Sequence, residues 1–205
     1  MTDLQAIVLG LVQGLTEFLP VSSSGHLVLA SHWFGFLESG ASLELAVDIA
    51  TNTGTFLAVL LVLRRDVGNA ASGFLRGLAS AEARREDGWR LAWLVLLGSV
   101  PTAILGFGLR GAFETLNAPV PVSLALIVTG IVLWTAPPSG PRQAARSLDW
   151  RDALLAGVAQ GLAIVPGISR SGSTISALLC RRVDAALAAR LSILLYLVAS
   201  AGVAV

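Results

Sequence analysis

The sequence is poor in charge. Asp, Glu, Lys and Arg make up only 13% of its 205 residues, whereas soluble domains carry about a quarter. The apolar residues are gathered into long runs that cover 49–63, 91–109, 119–136 and 185–205. Each run approaches the ~20 residues that a helix needs to cross a bilayer. So many runs leave too little polar sequence to cover them in a soluble fold, and the sequence therefore predicts a polytopic helical membrane protein.

Two residue types that often carry chemistry are nearly absent. The single cysteine, Cys180, excludes an internal disulfide framework and a metal site built from several cysteines. Lysine is missing, so arginine supplies all fourteen basic side chains. Six of these lie within 64–90 and three within 137–151, while 37–44 and 111–118 contain only acidic charges. Because basic residues favour cytoplasmic loops, we expect 64–90 and 137–151 to face the cytoplasm and the two acidic segments to face outside.

Two stretches of the chain match when it is shifted by 147 residues. Residues 6–30 are AIVLGLVQGLTEFLPVSSSGHLVLA, and residues 153–177 are ALLAGVAQGLAIVPGISRSGSTISA. Both contain Gln-Gly-Leu, then a proline, then Ser-x-Ser-Gly at the same distance. Three candidate spans, 42–63, 90–109 and 119–136, separate the copies. An odd number of crossings inverts the second copy relative to the first, as in transporter-like folds.

We therefore predict an all-α membrane bundle with two inverted-topology repeats. The first repeat covers about residues 1–110 and the second about 119–205, within one integral membrane domain over 1–205. Pro20 and Pro166 end the first arm of each copy, and no arm is long enough to span a bilayer. Each repeat is thus expected to carry a re-entrant helical hairpin.

Each predicted hairpin has hydroxyl residues and a glycine where its second helix should begin. These are Ser22, Ser23, Ser24 and Gly25 in the first copy, and Ser169, Arg170, Ser171 and Gly172 in the second. A helix N-terminus presents free N–H groups and the positive end of the dipole, which suit an anion. The alternative is that the serines only cap the helices. Arg170 favours the anion site, because a charge inside the membrane is costly and usually functional, and a planar guanidinium suits phosphate.

Gln13 and Glu17 lie four residues apart and share one helix face. No basic residue lies within a turn of Glu17. A carboxylate near a phosphate indicates a bridging divalent cation, magnesium or calcium, with Gln13 as a neutral oxygen ligand. The alternative is a protonated Glu17 that hydrogen-bonds another helix.

His26 directly follows the Ser-Ser-Ser-Gly motif. Three residues from Ser23, its imidazole could accept a proton from that hydroxyl or attack phosphorus itself. The alternative is a polar residue that is merely satisfied. Asp48 and Asn52 share a face of the following span, with Thr55 a turn further along. They either line the same cavity or satisfy the backbone of the hairpin.

The two motifs resemble the signatures of bacterial undecaprenyl-diphosphate phosphatases of the bacitracin-resistance type. GLVQGLTEFLPVSSSGHLVLA is similar to the family's Glu/Gln-x-x-x-Glu followed by Pro-x-Ser-Ser-x-Gly-His, and PGISRSGST to its Pro-Gly-x-Ser-Arg-Ser-x-x-Thr. The resemblance implies that Gln13 and Glu17 bind the metal and diphosphate, and that Ser23 and His26 lie at the reacting phosphorus. It implies a phosphate cradle formed by Ser169, Arg170, Ser171 and Thr174.

The sequence also departs from the family pattern. Asn52 replaces a usual His or Gln, and Tyr196 to Ser200 do not follow the Phe-Ser-Phe-Leu pattern with its later proline. The chain stops at Val205, short of the family's usual length by roughly two spans. The last departure predicts a shortened homologue or an early end of the chain, with both signature hairpins intact.

The resemblance implies hydrolysis of undecaprenyl diphosphate to the monophosphate and inorganic phosphate, which recycles the lipid carrier for cell-wall synthesis. It implies a multi-pass protein of the bacterial inner membrane whose site opens to the outer face. The rival function is a transporter that carries polyprenyl phosphate without cleaving it, because inverted repeats are typical of transporters. A His, a Ser and a Glu in one break favour hydrolysis. The expected partners are the polyprenyl diphosphate lipid and the membrane, with no nucleic acid, and the sequence is compatible with a homodimer.

Overall fold

A computed structural model describes residues 2–35, 41–137 and 147–203, and every regular element within them is helical. The helices are α1 (Asp3–Phe18), α2 (Ser23–Trp33), α3 (Ala41–Val62), α4 (Arg64–Ala79), α5 (Asp87–Gly108), α6 (Arg110–Leu116), α7 (Pro119–Thr135), α8 (Trp150–Leu162), α9 (Arg170–Cys180) and α10 (Ala185–Val203). A short 3₁₀ turn, Ala83–Arg85, precedes α5. The all-α prediction is confirmed.

The first helical pair begins and ends where local chemistry dictates. The Thr2 hydroxyl accepts a hydrogen bond from the Gln5 amide, and the Gln5 side chain accepts one from the Thr2 amide, which is a capping box. Leu19 is extended, as a residue before proline prefers, so Pro20 ends α1. Helix α2 then starts at Ser23 and packs against α1.

The second pair repeats this plan with different residues. Asp149 and Asp152 form the capping box of α8. Helix α8 ends four residues before Pro166, and α9 starts at Arg170 and packs against α8. Both predicted breaks, each followed at once by a short helix, are therefore present.

The predicted spans 42–63, 90–109 and 119–136 correspond to α3, α5 and α7 within a few residues. By length and composition, Asp87–Gly108 and Ala185–Gly202 could each cross a bilayer, while Ile49–Val62 and Pro119–Thr135 are shorter apolar helices. The re-entry of the two pairs and their inverted topology stay predictions.

Helix α4 lies in the segment 64–90, which the charge distribution indicated only as a loop. It packs along α5 through two glycines. A Cβ on Gly77 would lie 2.1 Å from Cε3 of Trp89, and one on Gly73 would lie 2.6 Å from the carbonyl carbon of Gly88. The ring of Phe74 stacks on Trp89 with centroids 5.6 Å apart. Close approach and aromatic packing hold this polar segment in a helix.

The buried core lies where α5, α8 and α10 meet, with α3 and α9 against it. Its members include Leu94, Val95, Ala153, Ala156, Leu178, Leu191 and Leu195. Helix α7 contacts both α2 and α9, and so joins the second arms of the two helical pairs. This arrangement positions the two breaks beside each other.

Candidate active site

The two breaks touch. A Cβ on Gly25 would lie 3.0 Å from Cα of Gly167, and one on Gly172 would lie 2.8 Å from the carbonyl oxygen of Pro20. Gly167 adopts a φ of +93°, and a Cβ there would lie 2.5 Å from the Val122 carbonyl oxygen. Glycine is therefore required by both its backbone conformation and its surroundings. The close contact brings the starts of α2 and α9 into one site.

Glu17 is the centre of the site. Its carboxylate accepts hydrogen bonds from the Ser23 hydroxyl and from Nε2 of Gln13, the latter at 3.0 Å. Nη2 of Arg170 lies 3.3 Å from Oε1 of Glu17. The carboxylate side chain is only 9% exposed, and the guanidinium side chain 36%. Residues from both sequence copies thus form a single charged cluster, with one carboxylate and one guanidinium that compensate each other.

The first serine of each motif caps its helix. Ser22 accepts from the Gly25 amide at 3.4 Å, and Ser169 accepts from the Gly172 amide at 3.0 Å. Ser22 takes an unusual φ of 69°, which is uncommon for a residue other than glycine. Capping, the alternative considered for these serines, is therefore observed. The phosphate contacts of the two motifs, including Ser24 and Ser171, stay a prediction.

His26 does not bond to Ser23. Its Nδ1 lies 2.7 Å from the carbonyl oxygen of Ser22. A carbonyl oxygen can only accept, so in the neutral ring Nδ1 carries the proton and the lone pair is on Nε2. The Ser23 hydroxyl donates to Glu17 instead. The proton acceptor that the structure places on Ser23 is therefore the carboxylate.

Gln13 links the cluster to α3. Its side chain is 2% exposed, and Nε2 also donates to Oδ1 of Asn52 at 3.2 Å. Its Oε1 is buried without a hydrogen-bond donor among the described residues. The buried Thr55 hydroxyl donates to the Thr51 carbonyl oxygen, within its own helix. The side chain of Asp48 lies outside the described residues.

Thr174 lies behind the start of α9. It is fully buried, and its Oγ1 lies 2.5 Å from Oγ of Ser192 and donates to the Arg170 carbonyl oxygen at 2.9 Å. These contacts join α9 to α10. The phosphate contact that the resemblance implies for Thr174 is not part of this arrangement and stays a prediction.

Two residues that the sequence did not single out hold the second motif in place. The Thr129 hydroxyl donates to the Gly167 carbonyl oxygen at 2.8 Å and accepts from the Ser169 amide at 3.0 Å. The Tyr196 ring lies beneath Arg170, with Cζ 5.0 Å from the ring centroid. Thr129 is a polar residue within the apolar run 119–136, and this position in the sequence could have indicated its role. Tyr196 had been noted only as a departure from the family pattern.

Comparison with known proteins gives a consistent result. Residues 6–205 match the family model described as bacitracin resistance protein BacA. A protein named undecaprenyl-diphosphatase from Acaryochloris marina is 63% identical over 205 residues, which is 100% of this chain and 76% of that protein. Proteins with the same name from Desulfosudis oleivorans and from Mycobacterium sp. strain KMS are each 44% identical, over 98% and 95% of this chain and 76% and 70% of their own lengths.

Proposed function

The chain belongs to the bacitracin resistance protein BacA family, and from this membership we infer that it is a helical membrane enzyme that hydrolyses undecaprenyl diphosphate. The products are undecaprenyl phosphate and inorganic phosphate. The cluster of Glu17, Ser23 and Arg170 at the contact between the two breaks supports this function and indicates which residues perform it. It combines a hydroxyl, a proton acceptor and a phosphate-binding cation.

In the first step, Oγ of Ser23 attacks the terminal phosphorus while Glu17 takes the hydroxyl proton. The bond from phosphorus to the bridging oxygen breaks, and that oxygen leaves as part of undecaprenyl phosphate. Arg170 donates to the oxygens of the transferred phosphoryl group, where charge develops. The hydrogen bond from Ser23 to Glu17 supports these roles.

In the second step, water attacks the phosphoserine. Nε2 of His26 takes a proton from the water, the bond from phosphorus to Oγ breaks, and Ser23 regains its proton from Glu17. Inorganic phosphate leaves. The bond from Nδ1 of His26 to the Ser22 carbonyl oxygen supports this role, because it directs the basic lone pair to Nε2.

A divalent cation fits beside Glu17. The buried Oε1 of Gln13 is an acceptor that has no donor among the described residues, and a hard cation prefers such oxygen ligands. Gln13 and Glu17 would hold magnesium or calcium, and diphosphate oxygens would complete the coordination. When bound, the cation neutralises charge on the diphosphate. The described part of the chain contains no cluster of three or more His, Cys, Asp or Glu side chains that could hold a metal ion. We therefore expect oxygens of the substrate to supply several of the cation's ligands.

The expected setting is the bacterial inner membrane, with several crossings and the site open to the outer face. The arginines of 64–90 and 137–151 support this orientation, since basic loops remain cytoplasmic. The apolar faces of the helices would accommodate the prenyl chain. The rival transport function is not favoured, because the named relatives are diphosphatases.

Release of inorganic phosphate from undecaprenyl diphosphate by the purified protein tests the function. Arg170→Lys should lower turnover at least ~10²-fold, because a point charge cannot replace a preorganised fork of donors. His32→Ala is the matched control and should remain near wild type, since His32 lies exposed at the far end of α2. Full activity of Arg170→Lys would contradict the proposed binding of phosphate by the paired guanidinium donors. Absence of phosphate release by the wild type would contradict the hydrolase function itself.

A further inference from the structure

A second cluster of arginines lies away from the breaks, at the start of α5. Arg84, Arg85 and Arg90 surround a cavity of about 530 Å³ between the starts of α5 and α8. This volume falls in the range of ligand sites in proteins. Three of the five tryptophans, Trp89, Trp93 and Trp150, also line the cavity. The proposed hydrolysis uses none of these side chains.

The positive charge of this cluster is not compensated by carboxylates. Arg84 donates to the Gly77 carbonyl oxygen at 2.8 Å, and its Cζ lies 5.8 Å from the centroid of the Trp89 ring. Arg90 donates to the Leu148 carbonyl oxygen at 2.5 Å. Among the described residues, neither these two nor Arg85 forms an ion pair.

The one carboxylate at the cavity is already engaged. Asp149 lies 3.6 Å from Nη2 of Arg181 and accepts from the Arg151 and Asp152 amides as the cap of α8. The guanidinium of Arg151 lies over the ring of Trp150 at 5.1 Å and adds a cation at the rim. The lining of the cavity therefore has three arginines and one engaged carboxylate, an excess of positive charge that favours an anion.

Further along α5 from the cavity, apolar side chains are exposed. On α5, Trp93, Leu96, Val100, Ile104 and Phe107 are 42–73% exposed and recur at helical spacing. On the neighbouring α8, Val158 and Leu162 are 38% and 54% exposed. Tryptophans at the end of a long apolar helix are typical of the membrane–water interface. Guanidiniums at the interface and apolar stripes below them match the two ends of a lipid.

We propose that this cavity binds the headgroup of an anionic glycerophospholipid. The lipid phosphate contacts Arg84 and Arg85, whose planar donors suit phosphate oxygens, and an acyl chain lies along the exposed stripe of α5. The tryptophan rings flank the headgroup. This site is separate from the cluster around Glu17, and it would anchor the segment 64–90 at the interface.

Fluorescence quenching tests this site directly, because three tryptophans line it. The full chain is reconstituted in phosphatidylcholine nanodiscs that contain increasing fractions of dibrominated phosphatidylglycerol or dibrominated phosphatidylcholine. The brominated phosphatidylglycerol should quench at a lower mole fraction. Arg84→Gln combined with Arg85→Gln should raise the half-quenching fraction about 30-fold, the scale expected for two interfacial arginines. Arg64→Gln combined with Arg65→Gln removes the same charge from the start of α4 and should leave it unchanged.

Arg85→Gln alone should raise the half-quenching fraction severalfold, and it spares the bond from Arg84 to Gly77 that supports the local fold. Equal quenching by the two brominated lipids would overturn the site. An equal rise of the half-quenching fraction in the two double variants would also overturn it. Unlabelled polyprenyl monophosphate serves as a competitor. If it displaces the brominated lipid better than unlabelled phosphatidylglycerol at equal mole fraction, the cavity binds the reaction product instead, and the glycerophospholipid assignment is wrong.

Discussion

The same backbone position carries different chemistry in the two sequence copies. Shifted by 147 residues, Ser23 corresponds to Arg170 and Glu17 corresponds to Ile164. Ser23 and Arg170 are each the first residue of a short helix, and both contact the one carboxylate of the cluster. The repeat therefore supplies a scaffold, and substitutions within it divide the roles of hydroxyl and cation between the two halves.

Metal dependence separates the roles of Glu17 and Arg170. Chelation of divalent ions should abolish activity of the wild type, and magnesium or calcium should restore it. Glu17→Gln should need severalfold more metal for half-maximal activity, because a neutral amide is a weaker ligand for a hard cation, and its turnover should also fall at saturating metal because Ser23 loses its proton acceptor. Arg170→Ala should keep the metal requirement of the wild type and turn over slowly at every metal concentration. The measurement is phosphate release against free metal.

Excess substrate alone should rescue neither variant, since the proposed mechanism needs both breaks to enclose one diphosphate. Activity that survives exhaustive chelation would remove the metal from the mechanism. Glu17 would then act only as a proton acceptor.

Tyr196 is expected to orient Arg170 through its ring. Cation–π contacts contribute about 0.5–2 kcal/mol, so Tyr196→Leu should lower kcat/KM about 2- to 30-fold. Tyr196→Phe keeps the ring and should remain near wild type. Steady-state kinetics on both variants measure the effect. An equal loss in Phe and Leu would assign the effect to the hydroxyl group and not to the ring.

At the scale of elements, the two sequence copies pack differently. In α8, a Cβ on Gly157 would lie 2.0 Å from the Gly98 carbonyl oxygen of α5, and one on Gly161 would lie 2.7 Å from Cβ of Leu105. The corresponding glycines of α1, Gly10 and Gly14, have nothing within 4 Å of the added Cβ among the described residues. In the part of the chain that the structure describes, the paired glycines thus allow close helix contact in α8 and not in α1.

This difference predicts opposite effects of one substitution. Gly157→Ala should lower the free energy of unfolding by about 1–3 kcal/mol, because the backbone of α5 has to move. Gly10→Ala should be neutral or stabilising by up to ~1 kcal/mol, since alanine favours the helix. Titration with SDS, followed by circular dichroism, compares the two variants in the same detergent. Equal destabilisation would show that the α1 glycines are packed as tightly as those of α8.

At the scale of the whole molecule, the arginine distribution predicts the orientation in the membrane. Cys180 is exposed, so the test uses a Cys180→Ser background. Glu114→Cys should react with a membrane-impermeant thiol reagent in intact cells, and Arg84→Cys should react only after permeabilisation, because basic loops remain cytoplasmic. The reverse labelling pattern would turn the proposed site toward the cytoplasm.

The sequence by itself determined the two broken helical pairs with their starting points and the long apolar helices. Prolines act on the adjacent residue, and a capping hydroxyl acts within three residues, so Pro20, Ser22 and Ser169 could be interpreted locally. The apolar runs likewise determined the positions of α3, α5 and α7. The α4 helix was missed, because its stability depends on the contact of Gly73 and Gly77 with the start of α5.

Only the tertiary structure decided which residues meet. Arg170 lies 153 residues from Glu17 in sequence, and the charge pattern near Glu17 contained no indication of a cationic partner. Ser23 bonds to Glu17 and not to His26, and Thr129 and Tyr196 reach the second motif from α7 and α10. Ion pairs, hydrogen bonds and ring contacts act over a few ångströms. They become defined only when packing brings distant helices together.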